Sequence, residues 1–329
     1  MVLLQGLLRP LMDWARPFAA QVYSRSEFTS WLWLAGALIA VDFFYRIANR
    51  PPTENFWSYA KPWRIYTHPS AILDYKFFFV QKLVVALVTV PMLVSVVALG
   101  RWLSTEMATW LGPGPVWKVS TMSIVAFGVI DVVLFDVGHF ISHYIQHKVA
   151  FFWEFHKIHH AAEVLTPVTS FRVHPVENIL DNVIQAPLQA SALAVCYYLY
   201  GAERSMMTLV WISAMFPLVY LVDNIRHSHL WISFGPKLEH IFSSPAQHQI
   251  HHSRAPQHLD TNFSRYFSFL DWIAGTLYVP KQGEALDFGL VQGPDPDLTD
   301  VWDLYWMPLK RALRLLQRPY ARPAHRSGA

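Results

Sequence analysis

The sequence predicts an all-α integral membrane protein, with four to five membrane-embedded helices and a cytosolic, histidine-rich helical cap. Three observations carry that expectation. Hydrophobic residues make up 53% of the 329-residue chain against 15% charged, and the mean hydropathy is positive at +0.24, so much of the surface has to face lipid. Apolar stretches of membrane-crossing length recur before residue 136, and shorter ones follow between 187 and 222. Fourteen of the sixteen histidines fall between His139 and His258, a concentration that scattered surface residues would not produce.

Residues 1–27 place Leu3, Leu4, Leu7, Leu8, Leu11 and Met12 at near-helical spacing. Arg9, Pro10 and Asp13 interrupt any secretory apolar core, so this stretch reads as an interfacial helix broken near Pro10, with a plain packing helix as the alternative. Residues 28–135 read as transmembrane helices, centred on Phe28 to Ala48, Phe77 to Leu99 and Val119 to Phe135, with Trp31, Trp33, Trp102, Trp110 and Trp117 at their ends where aromatic belts form. Residues 136–281 hold the histidines and a membrane hairpin at about 186–222, built from Pro187 to Tyr200 and Met206 to Val222 and turning near Gly201. Residues 282–329 form a C-terminal tail, with a turn-rich loop at Gly293 to Asp297, an amphipathic helix from Val301 to Leu316 and a polar end from Arg318. One membrane domain, 1–329, accommodates all of this.

Orientation follows from charge. The connection from Tyr45 to Lys76 carries Arg46, Arg50, Lys61, Arg64 and Lys76, whereas the one from Arg101 to Lys118 carries only those two basic residues. The positive-inside rule puts the first connection in the cytoplasm, and two further crossings deliver His139 to His160 to the same side. If 186–222 is a hairpin of two spans, His248 emerges there as well.

The chemistry lies in three histidine clusters. In a helix, His143 and His147 share a face; His156, His159 and His160 form an H-x-x-H-H cluster, and His248, His251 and His252 repeat that spacing about ninety residues later. Cys196 is the only cysteine, which excludes thiolate metal sites and intrachain disulfides. Imidazole suits iron, zinc, copper and nickel, and these histidines are too many for one tetrahedral ion, so two ions with open positions is the simplest reading. Each cluster alone would fit surface histidines or a simple zinc site, and a non-catalytic, histidine-rich membrane metal-binding protein is the competing class. The Glu-x-x-His pairs of soluble di-iron bundles are absent, the nearest match being Asp136-x-x-His139. The net charge of +3 is too small and too dispersed for nucleic acid.

With an aspartate seven residues before H-x-x-x-H, then H-x-x-H-H, then a distal H-x-x-H-H, the sequence resembles the fatty acid hydroxylase/sterol desaturase superfamily. FRVHPVEN at 171–178 is similar to that family's HP-x-E segment. RHSHLWISFGPKLEHIFSSPAQHQIHHS at 226–253 and DTNFSRYFSFLDWIAGTLYVP at 260–280 resemble the branch that contains alkylglycerol monooxygenase and its bacterial relatives. The resemblance covers roughly residues 125–281. Two positions depart from it: Tyr144 stands where the family usually has Arg, and His139 where an aromatic residue is more usual.

Carried over position by position, the resemblance implies that His143, His147, His156, His159, His160, His227, His248, His251 and His252 bind two iron ions, with His139, His174 and His229 left open as alternatives. It implies a non-haem di-iron oxidoreductase that takes O2 as co-substrate and electrons from a separate donor protein, and hydroxylates or oxygenates a sterol, fatty acyl or alkyl ether lipid. A C–C desaturase is the alternative outcome of the same oxidant. Asp136, Asp223 and Glu177 are the expected acceptors for ligand N–H groups. The implied location is multi-pass in a bacterial inner membrane, with the active site on the cytoplasmic face.

Overall fold

The computed structural model describes residues 62–201, 225–281, 284 and 286–317. The expected interfacial helix at 1–27, the first span, most of the Tyr45–Lys76 connection, the second half of the hairpin, Asp223 and the tail from Arg318 lie outside the described residues. Among the described residues the fold is helical, with no strand and one isolated bridge between Ser253 and Phe288.

After a single turn at Trp63–Tyr66, α1 runs Pro69–Leu111, with His68 as its N-cap through Nδ1 and the Ser70 amide at 3.3 Å. Pro69 occupies the first helical position, where its missing N–H costs nothing. At 43 residues α1 is about 64 Å long and contains the whole expected 77–99 span. Helix α2, Thr121–Lys148, opens on a reciprocal Ser120/Ser123 capping box and carries the expected third span and His143/His147 on one continuous rod. The 136–160 stretch is not one helix. Val149 adopts extended dihedrals (φ −103°, ψ 111°), so α3, Ala150–His160, sets off in a new direction.

Helix α4, Pro175–Tyr200, starts twelve residues before the expected Pro187. The sequence reading stopped at Pro187, yet the helix tolerates it, and Pro175 with a His174/Glu177 capping box fixes the earlier start. Gly201, at φ 80°, ends the helix in a backbone region open to glycine. Three shorter elements follow: α5, Pro245–His251, capped by Ser244 and Gln247; α6, Phe269–Ala274; and α7, Val301–Gln317, which matches the expected amphipathic helix.

Helix α4 lies against both α1 and α2, and α7 lies on α3. A small core of Phe77, Ile158, Leu298 and Leu304 joins α1, α3 and α7, with Phe77 stacked on Tyr305 at 4.9 Å. The buried Asp74–Arg172 pair, 2.9 Å apart, ties α1 to the turn before α4. Two described helices, α2 and α4, are long and apolar enough to cross a membrane. Met122, Val125, Val129 and Ile130 on α2, and Ile179 and Val183 on α4, are exposed, as lipid-facing residues are.

The α2–α4 approach is tight at Gly138, where an added Cβ would lie 2.8 Å from Gln185 Cγ and 3.2 Å from its Cα. A Gly138→Ala variant is expected to lose about 1–3 kcal/mol through overpacking, read as a lower melting temperature. An unchanged melting temperature would show that the two helices separate freely.

Candidate metal centre

Four segments converge at the end of α2. His143 and His147 lie one turn apart on α2, and α3 brings back His156, His159 and His160. His227 arrives from the segment after the undescribed stretch, and α5 supplies His248 and His251, with His252 at its C-terminal end. The nine rings form two groups, within each of which the ligating nitrogens lie within 4.8 Å of one another: His143, His147, His156, His160 and His251 in the first; His159, His227, His248 and His252 in the second.

The H-x-x-H-H spacing explains the split. Residues i and i+4 project on nearly the same side of a helix, while i+3 is turned away from them. His156 and His160 therefore join the first group and His159 the second, whereas His248 and His252 join the second and His251 the first. Each cluster thus spans both groups and locks them side by side, with the His160 and His252 rings stacked at 4.6 Å.

Outer contacts fix the rings. His143 Nδ1 donates to the Phe263 carbonyl at 2.8 Å and His251 Nδ1 to the Thr261 carbonyl at 2.7 Å. His156 Nδ1 meets Glu177 Oε2 at 2.6 Å, and His147 Nδ1 lies 3.3 Å from Asp260 Oδ1, while Lys148 pairs with Asp260 Oδ2. The 260–267 loop supplying all of these partners but Glu177 is itself pinned. Asp271 accepts from the amides of Phe263 and Ser264, and Asp136 from those of Arg265, Tyr266 and Phe267 at 2.8, 3.0 and 2.6 Å. Asp136, expected to accept a ligand N–H, instead holds the loop whose carbonyls do so. Glu177 sits where an acceptor was expected, and Asp223 lies outside the described residues. Among those residues His227 Nδ1 has no hydrogen-bond partner.

The tautomers follow from these contacts. A carbonyl only accepts, so His143 and His251 carry their proton on Nδ1 and present a bare Nε2 lone pair. With Glu177 ionised the same holds for His156, whose Nε2 lies 3.1 Å from that of His143 and 3.1 Å from that of His160. In the second group, His227 Nε2 lies 2.8 Å from His248 Nε2 and 3.2 Å from those of His159 and His252. A neutral imidazole has one N–H, and the lone pairs of His143 and His156 repel at this range unless a cation lies among them. The donor set therefore fits metal ions of the kind imidazole favours.

Burial pushes His156, His160, His227, His248 and His252 well below the ordinary histidine range, and neighbouring histidines add to it. His159 and His251 are lowered to about 3, again chiefly by burial. Their folded values lie below the ordinary 6.5, so the unfolded chain binds protons more readily. Metal-free protein is expected to keep this contribution above about pH 6.5 and lose it progressively toward pH 3, so its melting temperature falls on acidification. A flat profile from about pH 8 to pH 5 would contradict the buried, neutral state of these rings.

The three alternative ligands stand outside both groups. The His139 ring lies one turn before His143, with its centroid 5.3 Å away. His174 has both nitrogens engaged, Nδ1 with the Val176 amide and Nε2 with the Tyr305 carbonyl, each at 3.1 Å. His229 packs edge-on against Tyr66 at 6.0 Å. Of the other histidines, His240 is exposed and His258 is buried against Glu284. A cavity of about 240 Å³ opens onto the first group, reaching His147, His160 and His251 and passing outward between Trp153, Leu259 and Asp260.

The sequence reading did not assign Asp260, Thr261, Phe263 or Asp271. All four lie in the DTNFSRYFSFLDW stretch, but two of them act through backbone carbonyls, which no side-chain pattern reports.

This geometry defines a class, a helical protein with an all-histidine, two-group candidate metal centre at the end of long apolar helices. Residues 128–276 match the fatty acid hydroxylase family model, so this stretch of the chain is a fatty acid hydroxylase domain. Similar curated proteins include ornithine lipid hydroxylase OlsE of Rhizobium tropici, 27% identical over 163 residues, covering 49% of this chain and 45% of that protein. Alkylglycerol monooxygenase of Caenorhabditis elegans is 28% identical over 166 residues, covering 47% and 28%. Delta(7)-sterol 5(6)-desaturase ERG3B of Gibberella zeae is 23% identical over 164 residues, covering 50% and 44%. The chain spans less than half the length of each of these relatives. No solved structure matches. Its two apolar helices of membrane-crossing length and its fatty acid hydroxylase domain point to a membrane protein.

Proposed function

We propose that this protein is a membrane-bound, non-haem di-iron oxidoreductase that hydroxylates or oxygenates a C–H bond of a lipid, with O2 as co-substrate and electrons from a separate donor protein. The single observation carrying this reading is the convergence of nine histidines into two adjoining groups whose inner nitrogens include lone pairs held in place by outer hydrogen bonds. Lipid-acting hydroxylase and monooxygenase relatives support the substrate class.

Bound iron supplies the activation of O2 that an unactivated C–H bond requires. The chain's own residues do the rest. His143, His147, His156, His160 and His251 would hold one ion, and His159, His227, His248 and His252 the other, while the Phe263 and Thr261 carbonyls keep His143 and His251 in their ligating tautomer and Glu177 holds the His156 ring through Nδ1. Trp153 and Leu259 give the cavity apolar walls that limit water beside the first group. We place the centre at the cytoplasmic surface of a multi-pass bundle, with substrate entering from the bilayer.

A sterol-desaturase relative favours a second reading, C–C desaturation. The test is to purify the protein in lipid, supply a reductant and oxygen, and measure metal content and product mass. Hydroxylation predicts about two irons per chain and a product heavier by one oxygen, and desaturation a product lighter by two hydrogens. A single tightly held zinc with no oxygen-dependent change in any lipid would sink both.

A further inference from the structure

The collar around the centre has a surface that the metal chemistry does not use. Residues 231–242 expose Trp231, Phe234, Leu238, Ile241 and Phe242, and α6 exposes Trp272 and Ile273, at 65% and 77%. These are two segments of one patch. The Phe242 and Phe267 rings lie 6.0 Å apart, His240 and Trp272 6.4 Å, and the Ser243 amide donates to the Tyr266 carbonyl at 2.8 Å. Clustered apolar exposure of this kind marks an interaction surface rather than scattered surface residues.

Charge and position identify its partner. Each segment contains one acid, and both are turned inward: Glu239 accepts from the Phe234 amide and Ser244, and Asp271 from the 263–264 amides. None of the exposed residues is acidic: besides apolar and aromatic side chains they are Ser233, Lys237 and His240, with Arg265 half-buried over the Phe135 ring at 5.6 Å. The patch is also continuous with α2. Tyr266 lies beside Phe135 at 6.2 Å, and Asp136 clasps the 265–267 amides, which sets the patch at the end of the apolar stretch whose outer face carries Val125, Val129 and Ile130. Aromatic residues with flanking cations and no exposed acid suit the headgroup region of a bilayer.

We propose that residues 231–242 and 265–275 form an aromatic foot that inserts into the headgroup region of the bilayer beside α2. It fixes the depth of the histidine centre independently of the spanning helices. The inference does not depend on the metal or on the reaction.

The single, buried cysteine makes the test direct. In a Cys196→Ala background, cysteines placed at Phe242, Trp272, Ile273 and, as a water-facing control, the exposed Gln292 are labelled with a fluorophore in full-length protein reconstituted into vesicles of zwitterionic and anionic phospholipid. Quenching by headgroup-level nitroxide lipid is compared with quenching by aqueous iodide. The expected result is a lipid-to-iodide quenching ratio at 242, 272 and 273 roughly threefold or more above that at 292. Ratios equal to the control would overturn the proposal. Protection of the three labels from both quenchers would overturn it too, because it would mean that protein, in a second copy or a partner, covers the patch.

Discussion

His156→Ala is expected to remove the ion of the first group and leave the second occupied, while His248→Ala does the reverse. His156 Nε2 lies 3.1 Å from its counterparts in both His143 and His160, and His248 Nε2 lies 2.8 and 3.1 Å from those of His227 and His252. Each ring is therefore central to its own group. Removing His248 relieves crowding among buried imidazoles; removing His156 also takes a partner from the buried Glu177, but a buried carboxyl can keep its proton and stay neutral, so the apoprotein should stay folded. Elemental analysis should give about one metal per chain in place of two, and lipid turnover should fall by at least about 100-fold, beyond what the loss of an outer hydrogen bond costs. Near-ultraviolet circular dichroism separates metal loss from unfolding. Retention of both ions in either variant would falsify the assignment of groups.

Asp136→Ala acts through backbone rather than through a ligand. Asp136 takes three consecutive amides, and Asp271 the two before them, so two carboxylates pin the run from Phe263 to Phe267. Charge-assisted hydrogen bonds of this kind contribute about 1.5–3 kcal/mol each, and losing the acceptor leaves partly buried N–H groups without a partner, so the expected destabilisation is about 3–5 kcal/mol. Because the Phe263 carbonyl at the start of that run orients His143, metal affinity should weaken as well, by about 10–100-fold. Chemical denaturation and metal titration measure the two effects, and Asp271→Ala should reproduce both. An Asp136→Ala protein with native stability and native metal affinity would show that the loop is held by other means.

The histidine spacing was legible because it is local. One cluster lies on the short α3 and the other on α5 and its end, and on a helix the offsets of three and four set which rings face together, whatever surrounds them. The amphipathic α7 and the helix end at Gly201 were readable for the same reason. The start of α4 was not, because Pro187 reads as a boundary while the deciding signal is a cap formed by His174 and Glu177. The break at Val149 was equally silent, since a helical pattern of histidines runs through it.

The sequence by itself determined the helical class, the all-imidazole chemistry and the nine histidines that come together. The tertiary structure decided which histidine joins which group, the tautomers of His143 and His251, and the role of Asp136. Those depend on backbone amides and carbonyls of the 260–267 loop, which is over 100 residues from α2 in sequence. Every residue but proline offers the same backbone donor and acceptor, so only folding can show which of them faces a ring or a carboxylate.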